Sequence, residues 1–519
     1  MRHAHFPSSR RYLALWLPLF STDRLHRTSR QAGHERDNRP LIVVARRGNR
    51  LILIATDALA QKKGLFPGLA FADARARVPD IRVIEHDDSA DADLLDAIAD
   101  WFDRYSPIVA NEPPDGLICD ISGVTHLFGG EAPLIADIAH HLSGQGFAAH
   151  LAIAGTARAA RALCRFGKRG IVPPGEEAQW VSRLPIDALE CPPAILVALR
   201  RAGLMRIADL ASRPRKPLAA RFGTEVTDAL AQILGEIDRP VTPRRPLPLF
   251  AAEQRFAEPI GLREDIMLAL GDLAQKLAVE LERHGQGGRY FEAAFFRTDG
   301  RVTRIEVLSG QPLRNAPTLA RLFDLRLDAL TDPLDPGFGF DMIRLSALAG
   351  DAVPDSQDTL DGRESTEQAV RDLIDRLNAR LGPASVQRFI ANDSHLPERA
   401  ARTAPAISDM KGTGTWDRAA SFPVPTRPLF LFHPPQRIEA IAEVPDSPPR
   451  RFKWRQAWFE VVRAEGPERI AAEWWRDTRD IQTRDYFRIE DGAGHRFWVF
   501  RYGLYGVDRV EWFIQGLFP

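Results

Sequence analysis

YSPIVANEPPDGLICDISGVTHLFGGE, residues 105–131, is the stretch on which the reading of this chain turns. Leu117, Ile118, Cys119 and Ile121 make a short apolar run broken only by Asp120, the pattern of a buried strand that carries an acidic side chain to its edge. Asp115 and Gly116 stand at the head of that run. A carboxylate there offers oxygen to a hard cation such as magnesium, and glycine offers none. Upstream, residues 12–19 (YLALWLPL) form a second continuous apolar run and read as a buried first strand. LIVVA (41–45) and RLILIA (50–55) are two further strands around an Arg-Arg-Gly-Asn turn. Downstream, the pattern predicts a helix over 134–142 and a strand, HLAIA, over 150–154.

With 519 residues the chain has room for several cores, and 45% hydrophobic with 27% charged residues is an ordinary globular composition. Sixty-nine basic residues balance 69 acidic ones, so a nucleic-acid surface has to be local. Cys119, Cys164 and Cys191 are far apart and form no CxxC, which points to a reducing compartment and away from zinc or a disulfide framework. No apolar run approaches the roughly 20 residues of a membrane helix. The basic N-terminus leads into no signal-like apolar core, so a cytoplasmic protein without a membrane partner is expected.

The 105–131 stretch resembles the second catalytic motif of the Y-family (translesion) DNA polymerases. There Tyr-Ser-Pro leads to Ser-Ile-Asp-Glu and then Leu-Asp-Val-Thr-Gly, and Asp120–Gly123 (DISG) matches its end. On this register the family's Asp-Glu pair falls on Asp115 and Gly116, so one carboxylate is kept and one is gone. The acidic positions of the family's first strand, aligned on Phe20, become Leu15 and Leu17. Residues 55–80 are similar to the fingers segment through Gly64-Leu65, Gly68-Leu69 and the helix from Ala72. The family's triphosphate-binding Tyr and Arg fall there on Ala58 and Gln61, and glutamine cannot reproduce an arginine's charged fork. Two-metal nucleotidyl transfer needs several converging carboxylates. The resemblance therefore implies the polymerase fold with no catalytic residues, no nucleotide site and no metal or other cofactor.

What it implies for architecture is an α+β multidomain chain: palm-like over 1–25 and 80–165, fingers-like over 26–79, thumb-like with a helix-hairpin-helix over 166–240. A Pro-rich linker (240–248) precedes a little-finger-like segment at 246–348, where Ile266, Leu270, Leu273, Leu277 and Leu281 recur at helical spacing before a hairpin turning on Asp299-Gly300. In the thumb, Arg200, Arg201 and Arg206 are candidate phosphate contacts; a solvated helix face is the plain alternative. Residues 349–363 are an acidic linker, and 364–519 a β-rich C-terminal extension that binds partners. An amphipathic helix opens it, with Val370, Leu373, Leu377 and Leu381 on one stripe.

SHLPERA (394–400), GPERIAAEWW (466–475), DYFRIE and WVFR resemble the ImuB family of polymerase-like proteins, and with the palm and fingers matches the resemblance covers nearly the whole chain. It implies a non-catalytic adaptor of error-prone, damage-induced (SOS) translesion synthesis. Its partners would be primer-template DNA held weakly and non-specifically, the sliding clamp, a RecA-like ImuA protein and an error-prone C-family polymerase. The clamp peptide of that family, Gln-x-x-Leu-Phe, appears as Gln357 to Asp361, with Gln357 and Leu360 kept and the aromatic anchor replaced by Asp361. Trp454, Trp458, Trp474, Trp475, Trp498 and Trp512 are expected mostly in the core, with one or two exposed. The competing readings are a low-activity polymerase whose Mg2+ site gathers Asp115 with Asp120, Asp103 or Glu112, and a DNA-binding protein outside repair.

Overall fold

The computed structural model describes residues 10–33, 37–167, 170–353 and 366–519, except 409, 412, 414–425, 474, 477–482 and 504–508. The chain forms two compact units, residues 1–360 and 361–519. The peptide containing Gln357, Leu360 and Asp361 lies outside the described residues, as does Trp474.

The first run of leucines and aromatics becomes Tyr12–Trp16 (β1), followed by helix Phe20–Gln31 (α1). Leu41–Arg47 (β2) and Arg50–Thr56 (β3) form the expected hairpin, and Ala58–Lys62 (α2) and Phe71–Arg77 (α3) follow. Arg82–Glu85 (β4) then pairs parallel with β2, giving a small sheet in the order β3-β2-β4. That sheet takes in residues 82–85, which lie beyond the 26–79 bounds expected for the fingers-like segment. Asp88–Phe102 (α4) leads to Ile108–Glu112 (β5), Gly116–Asp120 (β6), Glu131–Gly144 (α5), His150–Ala154 (β7), Ala157–Phe166 (α6) and Gly170–Ile171 (β8). The larger sheet has the order β5-β6-β1-β7-β8. Leu13, Leu15, Leu117, Cys119 and Leu151 face α4 and α5, while Tyr12, Ala14, Ile118 and Ala152 face α6. Burial on both faces is why β1 and β6 read as unbroken apolar runs.

Five short helices share one core with α6: Glu177–Val181 (α7), Pro193–Arg201 (α8), Ile207–Ala211 (α9), Arg215–Phe222 (α10) and Thr224–Ile233 (α11). Beyond the Pro-rich connection come Phe250–Ile260 (β9), Arg263–Arg283 (α12), Gln286–Arg297 (β10), Val302–Leu313 (β11), Ala316–Asp328 (α13) and Phe340–Ala352 (β12). The four strands form an antiparallel sheet in the order β11-β10-β12-β9. The five periodic apolar residues of α12 are all buried. This sheet meets the end of α4 through ion pairs: Arg304 with Asp103 (2.6 Å) and Arg104 with Asp341 (3.0 Å). Burial raises the Asp103 carboxyl to about 6, against the attraction of Arg304 and Arg244.

In the second unit, Thr366–Leu381 (α14) is the predicted amphipathic helix, but its apolar stripe faces outward. Val370, Leu373 and Leu381 are exposed, whereas Asp375, Asn378 and Ala379 are buried. Periodicity fixes which residues share a face and leaves open which face is covered. Gln387–Ala391 (β13) and Ala401–Pro405 (β14) make a two-stranded ribbon. Phe430–Ala442 (β15), Pro449–Trp454 (β16), Ala457–Ile470 (β17), Arg484–Asp491 (β18), Arg496–Tyr502 (β19) and Glu511–Leu517 (β20) close into a barrel in sequence order. Phe452, Phe487, Ile489, Phe497 and Ile514 fill its interior. Tyr486, Trp498 and Phe500 alternate to the other side, where Leu396 covers them. Among the described residues no helix is long and apolar enough to cross a membrane.

Candidate functional site

At the head of β6, beside β1, Asp115 is fully engaged. Its carboxylate accepts from the Trp16 indole N–H at 2.9 Å and pairs with the Arg165 guanidinium at 2.9 Å. Arg165 lies over the Trp16 ring at 5.7 Å. One turn earlier on α6, Arg161 bridges Glu112 and Glu190, and burial lowers its affinity for the proton. Gly116 faces this cluster: a Cβ there would lie 3.0 Å from the Leu15 carbonyl oxygen, 3.2 Å from an Arg165 nitrogen and 3.3 Å from the Glu112 carbonyl oxygen. The space a second carboxylate would enter is hemmed in by two backbone oxygens and a guanidinium.

The residues at this corner do not fit a magnesium ion. Three carboxylates are spent on two guanidiniums fixed beside them, and a divalent cation would have to displace both. Among the described residues no group of three or more His, Cys, Asp or Glu is placed to hold a metal. Of the partners expected for Asp115 in a makeshift site, Asp120 and Asp103 lie elsewhere, and Glu112 reaches the same corner but is paired there with Arg161. Asp120 lies at the opposite end of β6, about 16 Å along a five-residue strand, and its carboxylate accepts from the Ser122 N–H. Asp103 belongs to the contact with Arg304, and Glu112 to that with Arg161. Leu15 and Leu17 are 3% and 0% exposed in the core facing α4 and α5, so neither position opens onto the Asp115 corner. Ala58 is exposed at the start of α2, while the half-buried Gln61 turns its amide back to the Thr56 carbonyl at 3.4 Å.

A helix, turn and helix do form at α8–α9, with Leu199, Leu204, Ile207 and Leu210 buried beneath and Gly203 at φ 76° in the turn. Arg200, Arg201 and Arg206 are all exposed. Arg200 is tied to Asp187, while Arg201 and Arg206 have no ion pair among the described residues. The N–H groups of Met205 and Arg206 both donate to the Asp209 carboxylate at 2.9 Å. These two amides are therefore already taken up within the hairpin.

SHLPERA and GPERIAAEWW turn out to lock to each other. Leu396 is buried against Tyr486, Trp498 and Phe500; His395 bonds the Ala471 carbonyl at 2.7 Å; Glu398 pairs with Arg484 at 2.6 Å; Arg399 pairs with the wholly buried Glu473 at 3.2 Å. Hydrogen bonds from Ser394 and Arg399 keep the Glu473 carboxyl below its ordinary value although burial pushes it up. Trp498 and Trp512 are core residues, whereas Trp458 and Trp475 are exposed. Sequence reasoning missed the Arg161–Arg165 cluster. Their i,i+4 spacing on α6 was the one available signal, because Glu112 and Glu190 come from distant segments.

A family model described as the impB/mucB/samB family matches residues 28–165. The chain is 42% identical over 467 residues to Protein ImuB of Caulobacter vibrioides, spanning 88% of this chain and 100% of that one. DNA polymerase IV of Alkalilimnicola ehrlichii is 26% identical over 306 residues, 58% of this chain and 84% of its own length. Among solved structures, DinB from Sulfolobus solfataricus matches 66% of this chain and 100% of its own at 13% identity, with a TM-score of 0.38.

Proposed function

The chain belongs to the ImuB family, and on that premise we propose that it is a non-catalytic adaptor of error-prone translesion DNA synthesis, acting in the response to DNA damage. The observation that carries this reading is the filled corner at Asp115. Where a polymerase of this fold gathers carboxylates around magnesium, this chain places Arg165 and Arg161. A cation that is part of the protein cannot exchange, and it cannot activate an attacking hydroxyl as a metal does. On the family register Gly116 falls where a second carboxylate would be and Ala58 and Gln61 where the triphosphate contacts would be, while the β1 side chain that reaches the corner is Trp16 rather than Leu15 or Leu17. Asp115 is retained as a structural acceptor.

Arg201 and Arg206 hold duplex phosphates without reading sequence, with Arg200 recruited once its bond to Asp187 yields. The segment at Gln357 and Leu360 reaches the sliding clamp with reduced strength, since Asp361 replaces the apolar anchor. The second unit meets the RecA-like ImuA protein and the C-family polymerase that performs synthesis. The test is lesion bypass reconstituted from the clamp, those two proteins and this chain. Bypass should depend on this chain and survive Asp115→Asn. Bypass that disappears with Asp115→Asn, in protein that still binds DNA, refutes the adaptor.

A further inference from the structure

The barrel wall of β18–β19 is covered by the segment 394–400, whereas the outer face of the β16–β17 hairpin is left exposed by the described residues. That hairpin is chemically unlike the rest of the unit. Residues 449–459 (PRRFKWRQAWF) hold four cations and no carboxylate. Strand alternation puts Arg451 and Lys453 on the outer face, opposite Glu460 and Trp458. Trp458 is 49% exposed, and Arg451 lies over its ring at 4.9 Å. Arg455 lies over Trp454 at 4.5 Å. Arg450 is paired with Glu443 and Lys453 sits 3.6 Å from Glu439, but Arg451 and Arg455 have no ion pair among the described residues. A groove beside the hairpin is lined by Lys453, Arg455 and Gln456 and also by Glu439, Glu511 and Arg437, the last two paired at 2.9 Å, so that Arg455 is its one cation outside these carboxylate contacts among the described residues.

The turn supplies a second, independent sign. Arg455 and Gln456 both take positive φ, 48° and 69°, as a tight two-residue hairpin turn demands. Asn-Gly is the relaxed solution there, because a Cβ is disfavoured in that region. Side chains kept at strained backbone positions mark sites where the side chain itself is needed.

We propose that the β16–β17 hairpin binds single-stranded nucleic acid, with Trp458 as a platform for a base and Arg451, Lys453 and Arg455 holding the flanking phosphates. An exposed indole set among guanidiniums presents a π-face to any base, and the cations follow a backbone without reading sequence. Arg451 and Lys453 are two residues apart on one face, about 7 Å, and so serve separate phosphates. An acidic polypeptide would use the cations but has no aromatic planes to lay on Trp458. The proposal stands apart from the adaptor reading, which needs only duplex contacts and protein partners.

The test is fluorescence anisotropy of the full chain titrated into a labelled oligo(dT) strand, with a duplex of equal length alongside. Trp458→Ala should weaken oligo(dT) binding about tenfold, within the range found for loss of one stacked base, and leave duplex binding unchanged. Arg455→Gly should also weaken it severalfold while leaving the melting temperature unchanged or higher, since glycine relieves the turn. That pairing separates lost contact from lost folding. Unchanged oligo(dT) affinity in both variants overturns the proposal. So does an equal loss for the duplex. Polyglutamate binding that depends on Trp458 where oligo(dT) binding does not would assign the surface to an acidic protein instead.

Discussion

Replacing Asp115 with alanine separates two views of the same carboxylate. A metal ligand in a working active site contributes little to folding, and its removal often stabilises a protein by relieving repulsion between neighbouring acids. Here Asp115 accepts two hydrogen bonds, from Trp16 and from Arg165, with side-chain exposures of 23% for Asp115 and 20% for Arg165. A buried hydrogen bond to a charged group contributes about 1.5–3 kcal/mol, and a solvent-exposed pair under about 1 kcal/mol. At this partial exposure the arginine contact is worth about 1 kcal/mol, and the indole bond adds about 1 kcal/mol. Asp115→Ala should thus destabilise the first unit by about 2 kcal/mol, and Asp115→Asn by about half of that, because the amide oxygen still accepts from the indole. Urea denaturation followed by tryptophan fluorescence reads both. Variants as stable as the parent, or a parent protein that magnesium stabilises and the variants do not share, would refute the reasoning.

Leu396→Ala should cost the second unit about 2–4 kcal/mol, because Leu396 is 2% exposed against Tyr486, Trp498 and Phe500; thermal unfolding in which the barrel is unaffected would contradict its role as a cover. Asp103, raised by burial to about 6, binds its proton more tightly folded than unfolded. Its contribution to stability is therefore full below about pH 4, its unfolded value, and is lost as pH rises through about 6. Asp103→Asn should flatten the stability profile in that window, measured by urea midpoints at successive pH values. Arg201→Glu with Arg206→Glu should weaken duplex binding at least tenfold and lower its salt slope by about two; anisotropy at three salt concentrations checks both.

Much of the fold was legible because two-sided burial writes itself into sequence. β1, β6 and α12 were found by unbroken apolar runs or helical period, and the hairpin turns by Gly48-Asn49 and Asp299-Gly300. Three things were not legible, each for a physical reason. β4 joins the small sheet by a parallel, long-range pairing that no local signal encodes. The helical period of α14 was correct, but its apolar face is not the covered one, since covering depends on what packs against it. The corner at Asp115 could be seen to lack acids, but that arginines fill it depends on α6 crossing β1 and on Glu190 arriving from a distant turn. The C-terminal motifs carried the family resemblance without showing where their side chains point, and much of their chemistry is internal: Leu396, Glu398 and Glu473 are buried or paired within the unit.

The central claim, a polymerase-like palm in which arginine has replaced metal chemistry, is tested most directly by primer extension. The purified chain would be given primer-template, magnesium and all four deoxynucleotides, with DNA binding recorded in the same sample. The account predicts binding without extension at any magnesium concentration. Extension that requires magnesium and vanishes in Asp115→Asn would contradict it, because Asp115 would then be exchanging Arg165 for a metal ion.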